Sequence, residues 1–227
     1  MHSYSYLNTA KRIIQSYDGN IPLAAWLKQF FKTDKKFGSK DRKNIGHTCY
    51  CFYRLGNAFQ NLSIEERMLI ALFLCSDTSN KILEELKPDW NEKVSVPVSE
   101  KIDLLSAQEE IKEIFPLPGE VSKEILLQSF NLSFLIQPDL YLRIRPGEKE
   151  KVLQQLQNAG VKFTLLGDEC IQLSNQTKVD DILNIDEDVI IQDYNSQRTI
   201  ELFANYKPPT FHLGLLCSQW GKIYFVS

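Results

Sequence analysis

The chain has 227 residues, of which 43% are hydrophobic and 24% charged, with a formal net charge of −3 and a pI of about 5.7. These values exclude a disordered or fibrous polymer, and the length suits one large domain or two small ones. No apolar run approaches the roughly 20 residues that span a bilayer, and residues 1–12 carry no apolar signal core, so a cytoplasmic protein with no membrane partner is expected.

The first 130 residues read as helical. Leu7, Ala10, Ile13, Ile14 and Tyr17 recur at helical spacing, and Asp18-Gly19-Asn20 ends that element. A second amphipathic helix runs from Pro22 to Phe31. Gly38-Ser39 breaks the chain, with Ser39 the expected N-cap of a helix from Lys40 to Asn61. On that helix Ile45, Cys49, Phe52 and Phe59 mark a core stripe, while Lys43, His47, Tyr50 and Arg54 share another face.

Residues 28–43 hold Lys28, Lys32, Lys35, Lys36, Lys40, Arg42 and Lys43 against Asp34 and Asp41, a local net charge of +5 on an acidic protein. Such a patch is either a solvated helical corner or a surface for a phosphate backbone. Asp41 and Arg42 form either a helix-start ion pair or, through Arg42, a nucleic-acid contact.

Further on, Ser63-Ile64-Glu65-Glu66 has the pattern of a capping box ahead of an apolar helix, Arg67 to Cys75. A short helix is expected from Asn80 to Leu86. Pro88, Pro97, Pro116 and Pro118 then suggest a looser connector, interrupted by a helical stretch from Ser106 to Ile114. A last helix is expected from Ser122 to Phe130.

From Pro138 the period changes to two. Leu140, Leu142 and Ile144 alternate with Tyr141, Arg143 and Arg145, a half-buried strand whose outer face is a candidate platform for bases and phosphates. The competing expectation is that another element covers that face. A helix from Glu148 to Ala159, strands Val161–Leu166 and Glu169–Leu173 joined at Gly167-Asp168, a short helix Val179–Leu183 and a strand Val189–Gln192 complete a β-α-β-β-α-β order. That order is the split-βαβ, RNA-recognition or ferredoxin-like arrangement.

The cysteines are Cys49, Cys51, Cys75, Cys170 and Cys217, an odd number with no Cys-x-x-Cys pair. Reduced thiols packed in a core are expected, and no metal site.

Three stretches together resemble the Sun/Nop2-type RNA cytosine-C5 methyltransferases. Gly38-Ser39-Lys40-Asp41-Arg42, opening a helix that reaches Tyr53-Arg54-Leu55, is similar to the antitermination-factor-like helical domain of bacterial members. Gln137-Pro138 to Arg145, with the helix ending Asn158-Ala159-Gly160, resembles the start of their small RNA-recognition-like domain. Val189-Ile190-Ile191-Gln192-Asp193-Tyr194-Asn195-Ser196-Gln197 resembles the segment leading into their methyltransferase core. The resemblance implies a helical RNA-binding domain over 1–130, a small α+β domain over 131–205, and RNA, most of all 16S ribosomal RNA, as partner. It also leaves room for a protein partner on the helical domain.

S-adenosylmethionine is the cofactor of the full-length family. Its Gly-rich loop should follow next, because glycines let the backbone approach the ligand. Residues 211–227 contain no such loop, so none is expected to be bound by this chain. With synonymous codons chosen to permit it, Phe211 to Tyr224 read one nucleotide forward spells FIWDCCAASGGKS, which resembles that loop. Residues 206–227 are therefore expected to be an aberrant, frame-shifted tail, against the competing reading of a genuine hydrophobic C-terminal strand from Leu213 to Val226.

The family attacks cytosine with a cysteine thiolate downstream of the loop, so the resemblance assigns no catalytic residue here. The RNA-binding candidates are Lys40, Arg42, Lys43, Arg54, Arg143 and Arg145. Gln192, Asp193, Ser196 and Gln197 are expected to lead into the core, with Ser196 capping a helix from Gln197 to Phe203. The competing reading is a stand-alone RNA-binding or protein-interaction module.

Overall fold

The computed structural model describes residues 3–34 and 36–199. The chain divides into two compact units, Met1–Gln137 and Pro138–Ser227. The expected tail at 206–227 and the expected helix as far as Phe203 lie outside the described residues.

The first unit is helical: α1 (Ser3–Ser16), α2 (Leu23–Thr33), α3 (Ser39–Arg54), α4 (Ile64–Cys75), α5 (Lys81–Leu86), α6 (Pro88–Glu92), α7 (Val98–Leu104), α8 (Gln108–Lys112) and α9 (Leu127–Leu135). Helix α4 is buried on nearly every side, through Met68, Ile70, Ala71, Leu72, Phe73 and Leu74, which makes it the axis of the core. Around it α1 contributes Tyr6, Leu7, Ala10 and Ile13, and α3 contributes Ile45, Cys49 and Phe52. The capping box is present: Ser63 Oγ accepts the Glu66 N–H at 3.2 Å, and Glu66 accepts the Ser63 N–H at 3.1 Å.

Four expectations are corrected. Helix α3 ends at Arg54 rather than Asn61, because Gly56 and Phe59 take positive φ values of 49° and 59° that end the helix. Phe59 reaches the core from the turn instead. Pro88 and Pro97 open helices rather than loosening the chain, since the first helical turn needs no proline N–H. The last helix of this unit begins at Leu127 and runs to Leu135, so the unit extends past the expected boundary at 130. There Phe130 and Phe134 pack on Phe115, and buried Asn131 accepts from the Phe115 N–H and donates to the Lys112 carbonyl.

The second unit holds β1 (Leu140–Ile144), α10 (Lys149–Asn158), β2 (Phe163–Leu166), β3 (Cys170–Leu173), β4 (Val189–Ile191) and α11 (Tyr194–Arg198). The strands form one antiparallel sheet in the order β2-β3-β1-β4. Strands β1 and β2, linked through α10, are therefore separated by β3. Leu142, Ile144, Ile171, Leu173 and Val189 face Val152 and Leu156 of α10. The expected helix at Val179–Leu183 is a single 3-10 turn, Val179–Asp181. One such turn already places Val179 and Leu183 in the core.

Among the described residues no helix is long and apolar enough to cross a membrane.

Candidate nucleic-acid interface

Helix α3 is capped by Gly38, whose N–H donates to Asp41 Oδ2 at 3.1 Å. Ser39, expected as the N-cap, is instead the first helical residue. The second oxygen of Asp41 accepts the Tyr6 hydroxyl at 2.8 Å. Tyr6 and the Gly38 N–H hold the Asp41 carboxyl below its ordinary pKa. Asp41 is the one acidic residue of α3, and these bonds tie it to the helix start and to α1.

The opposite arc of α3 carries Lys40, Lys43, His47, Tyr50 and Arg54, spaced so that they lie on one side. Lys40, Lys43, His47 and Tyr50 are exposed, and Arg54 is half-buried. No carboxylate of α3 shares this arc. Lys40 and Lys43 form no ion pair among the described residues. Arg54 donates to Gln137 Oε1, which fixes its guanidinium beside the helix end. Tyr50 is 41% exposed.

His47 Nε2 lies 3.3 Å from Ser76 Oγ. Desolvation by the surrounding chain, then the Arg54 and Lys43 cations, lower its pKa, against a smaller opposing pull from Asp77. The neutral ring is thus the favoured form at neutral pH, and it adds a hydrogen-bonding edge to the stripe rather than a charge.

Arg42 sits apart, nearly a quarter turn beyond this arc. Its Nε donates to the Phe37 carbonyl at 2.8 Å, closing the turn before α3. There is no Asp41–Arg42 ion pair among the described residues, so that reading is withdrawn. Lys36 is paired with Asp34 at 2.9 Å, and Lys28 and Lys32 are exposed on α2. Lys35 lies outside the described residues.

In the second unit, Arg143 lies on the outer side of β1, as the alternation implies, and Arg145 directly follows the strand. Arg143 is half-buried and pairs with Glu169 at 3.6 Å. Arg145 donates to the Asp186 carbonyl at 3.3 Å. The Tyr141 ring is stacked on Tyr194 of α11, with centroids 5.8 Å apart. The expected platform is therefore covered at Tyr141 by the chain itself, and both arginines already have partners.

Helix α11 also corrects the expected cap. Asp193, not Ser196, is the N-cap, accepting from the N–H groups of Asn195 at 2.9 Å and Ser196 at 3.4 Å. The Gln192 N–H donates to the Tyr141 carbonyl at 3.1 Å, and Gln197 donates to the Gln192 carbonyl at 2.8 Å. Gln197 also reaches Cys170 on β3. Gln192, Asp193, Ser196 and Gln197 thus anchor and cap the short helix whose Tyr194 covers Tyr141.

Sequence reasoning missed Gln137, Ser76 and Tyr194, because each meets its partner only through the fold. Glu169, at the hairpin opposite the Arg143 strand, was legible as a cross-strand partner once the turn was placed. Among the described residues no group of three or more His, Cys, Asp or Glu side chains is placed to hold a metal ion. No protein-family model matches the chain, and a search of characterised proteins finds no match.

Proposed function

We propose that this protein binds RNA through the exposed arc of α3, and that it represents the RNA-binding region of an S-adenosylmethionine-dependent RNA cytosine-C5 methyltransferase. The observation that carries the RNA reading is the arc itself: Lys40, Lys43, Arg54, His47 and Tyr50 on one face, with the helix's single carboxylate bonded elsewhere. Cations contact phosphates and release counterions, while an exposed tyrosine accepts a stacked base. The +5 segment 28–43 adds long-range attraction on a protein whose net charge is negative.

The methyltransferase assignment rests on the three sequence stretches described above. The element order is in keeping with it: a helical unit, then a small sheet whose strand order β2-β3-β1-β4 is that of a split-βαβ arrangement. Ribosomal RNA is the proposed target. No cofactor contact is assigned to the described residues. The protein-interaction reading draws on the exposed Leu117, Ile125, Leu126, Phe134 and Ile136 near the end of the first unit.

The test is binding of the full chain to fragments of ribosomal RNA across a salt series. RNA binding predicts affinity that falls steeply with salt, and a Lys40→Ala/Lys43→Ala chain with a shallower slope. Salt-independent binding, or none, would remove the RNA reading and leave the protein-interaction reading.

A further inference from the structure

A row of aromatic rings runs from α3 across to α2. On α3, Tyr50 stands three residues before Tyr53 and four before Arg54, which places it between the basic arc and the side of the helix that packs on α2. That side is marked by Gly46, where a Cβ would meet Leu27 of α2 at 3.9 Å, and Tyr53 lies two turns further on. The Tyr53 ring meets the Tyr17 ring edge-on, with centroids 5.5 Å apart. Tyr17, just past α1, meets Trp26 of α2 at 6.0 Å, and Trp26 stacks on Phe30 at 5.5 Å with planes 17° apart.

The row lies at the surface. Tyr53 is 38% exposed, Tyr50 one helical turn before it is also exposed, and Tyr17, Trp26 and Phe30 are half-buried. The hydroxyls are turned inward: that of Tyr17 donates to the Ile21 carbonyl at 2.8 Å, and that of Tyr53 points to the Ile14 carbonyl at 3.4 Å. Desolvation pushes the pKa of Tyr53 up to about 12 and also raises that of Tyr50. An exposed tyrosine whose hydroxyl is kept from water meets water with its ring carbons. Ring surface of this kind is covered favourably by another flat π-system.

The neighbouring charges select that π-system. Lys43 and Arg54 share the arc with Tyr50, and the Asp41 carboxylate is tied to Tyr6 and Gly38. Asp18, next to Tyr17, accepts from the backbone and side-chain amides of Asn20. Cations beside tyrosines on one helix match a polyanion that carries bases, with phosphate on the arc and base on the ring. A duplex cannot use the rings, because its bases already stack on one another and show only their edges in the grooves.

We propose that the RNA taken by α3 is single-stranded: its phosphates lie along Lys43 and Arg54, and its unpaired bases turn onto Tyr50 and Tyr53 at the end of the aromatic row. This assignment rests on the RNA reading above and specifies which form of RNA the helix takes.

The experiment titrates the full chain into a short dye-labelled RNA of mixed sequence, free or annealed to its complement, and follows anisotropy at one salt concentration. The free strand is expected to bind at least about tenfold more tightly than the duplex. Tyr50→Ala should weaken the free strand by about fivefold or more and leave the duplex within about twofold, while Tyr50→Phe, which keeps the ring, should bind as the parent does. Ultraviolet crosslinking of the parent complex, mapped by mass spectrometry, needs no variant and should place adducts on Tyr50 or Tyr53 in tryptic segment 44–54. A duplex bound as tightly as the free strand would overturn the inference and leave the RNA reading standing. So would adducts confined to other segments, or a folded Tyr50→Ala chain that binds the free strand as the parent does. Binding of neither form would remove the RNA reading and this inference together.

Discussion

The rings of Tyr141 on β1 and Tyr194 on α11 stack with centroids 5.8 Å apart and planes 22° apart. The pair closes the outer face of the sheet at Tyr141, the aromatic of the platform expected from the alternation of β1. The Arg198 guanidinium lies 5.8 Å from the Tyr194 ring on the same short helix. An aromatic pair of this geometry adds about 0.5–1.5 kcal/mol beyond the area that it buries. Replacing Tyr141 by Ala is therefore expected to lower stability by about 1–3 kcal/mol. RNA affinity should stay within about twofold, because the ring already has its stacking partner. Chemical denaturation and RNA titration of the same preparation check both halves. A large loss of affinity in a stable variant would place RNA on the sheet after all.

The arc of α3 makes the opposite prediction. Lys40 and Lys43 are exposed and have no ion pair among the described residues, so their loss should leave the fold alone. The Lys40→Ala/Lys43→Ala chain should melt within about 1–2 °C of the parent, since surface substitutions away from structural contacts are worth about 0.5 kcal/mol or less. Its RNA affinity should fall, and its slope of log affinity against log salt should become shallower by about 1–2, if each lysine neutralises one phosphate. Arg42→Ala is a poorer probe, because Arg42 also closes the turn at Phe37.

Much of the architecture could be read from periodicity. The α3 stripe, the capping box at Ser63 and the alternation of β1 all depend on residues close in sequence, and local stereochemistry fixes them. Helix α9 turns its buried Asn131 to Phe115 and Lys112, sixteen and nineteen positions back, contacts that no local pattern displays. Prolines 88 and 97 read as breakers because a one-dimensional pattern does not distinguish a first helical turn from a loop. At the candidate site the composition of the arc was legible, but the partners of its neighbours were not. The capture of Asp41 by Tyr6 spans 35 positions, and that of Arg54 by Gln137 spans 83.

Gly56 supplies a test of the turn after α3. Its φ is +49°, and a Cβ built there would lie 1.9 Å from the Ile114 carbonyl oxygen. The same carbonyl accepts the Asn57 N–H at 3.3 Å, so backbone fills the space and has little room to retreat. Gly56→Ala is expected to destabilise the first unit by about 2 kcal/mol or more, combining left-handed strain with a steric clash. Urea unfolding followed by tryptophan fluorescence reads this, since Trp26 and Trp90 both lie in this unit. An unchanged midpoint would mean that the Ile114 segment yields easily.

Asp41 gives a pH test with a defined sign. Its carboxyl is held below the ordinary value by the Tyr6 hydroxyl and then by the Gly38 N–H, so the folded state favours the carboxylate more than the unfolded state does. Its contribution to stability is present above the unfolded pKa of about 3.9 and is lost as pH falls through the depressed folded value. The Asp41→Asn chain should melt below the parent at pH 6, and the difference should shrink as the pH is taken below 4. Tyr6→Phe should reproduce part of the pattern, because it removes one of the two bonds to the carboxylate while leaving Gly38 in place. Melting curves of the three chains between pH 6 and about pH 2.5 decide the matter. A gap between parent and Asp41→Asn that stays constant across that range would mean that the side chain acts through its shape at the helix start and not through its charge.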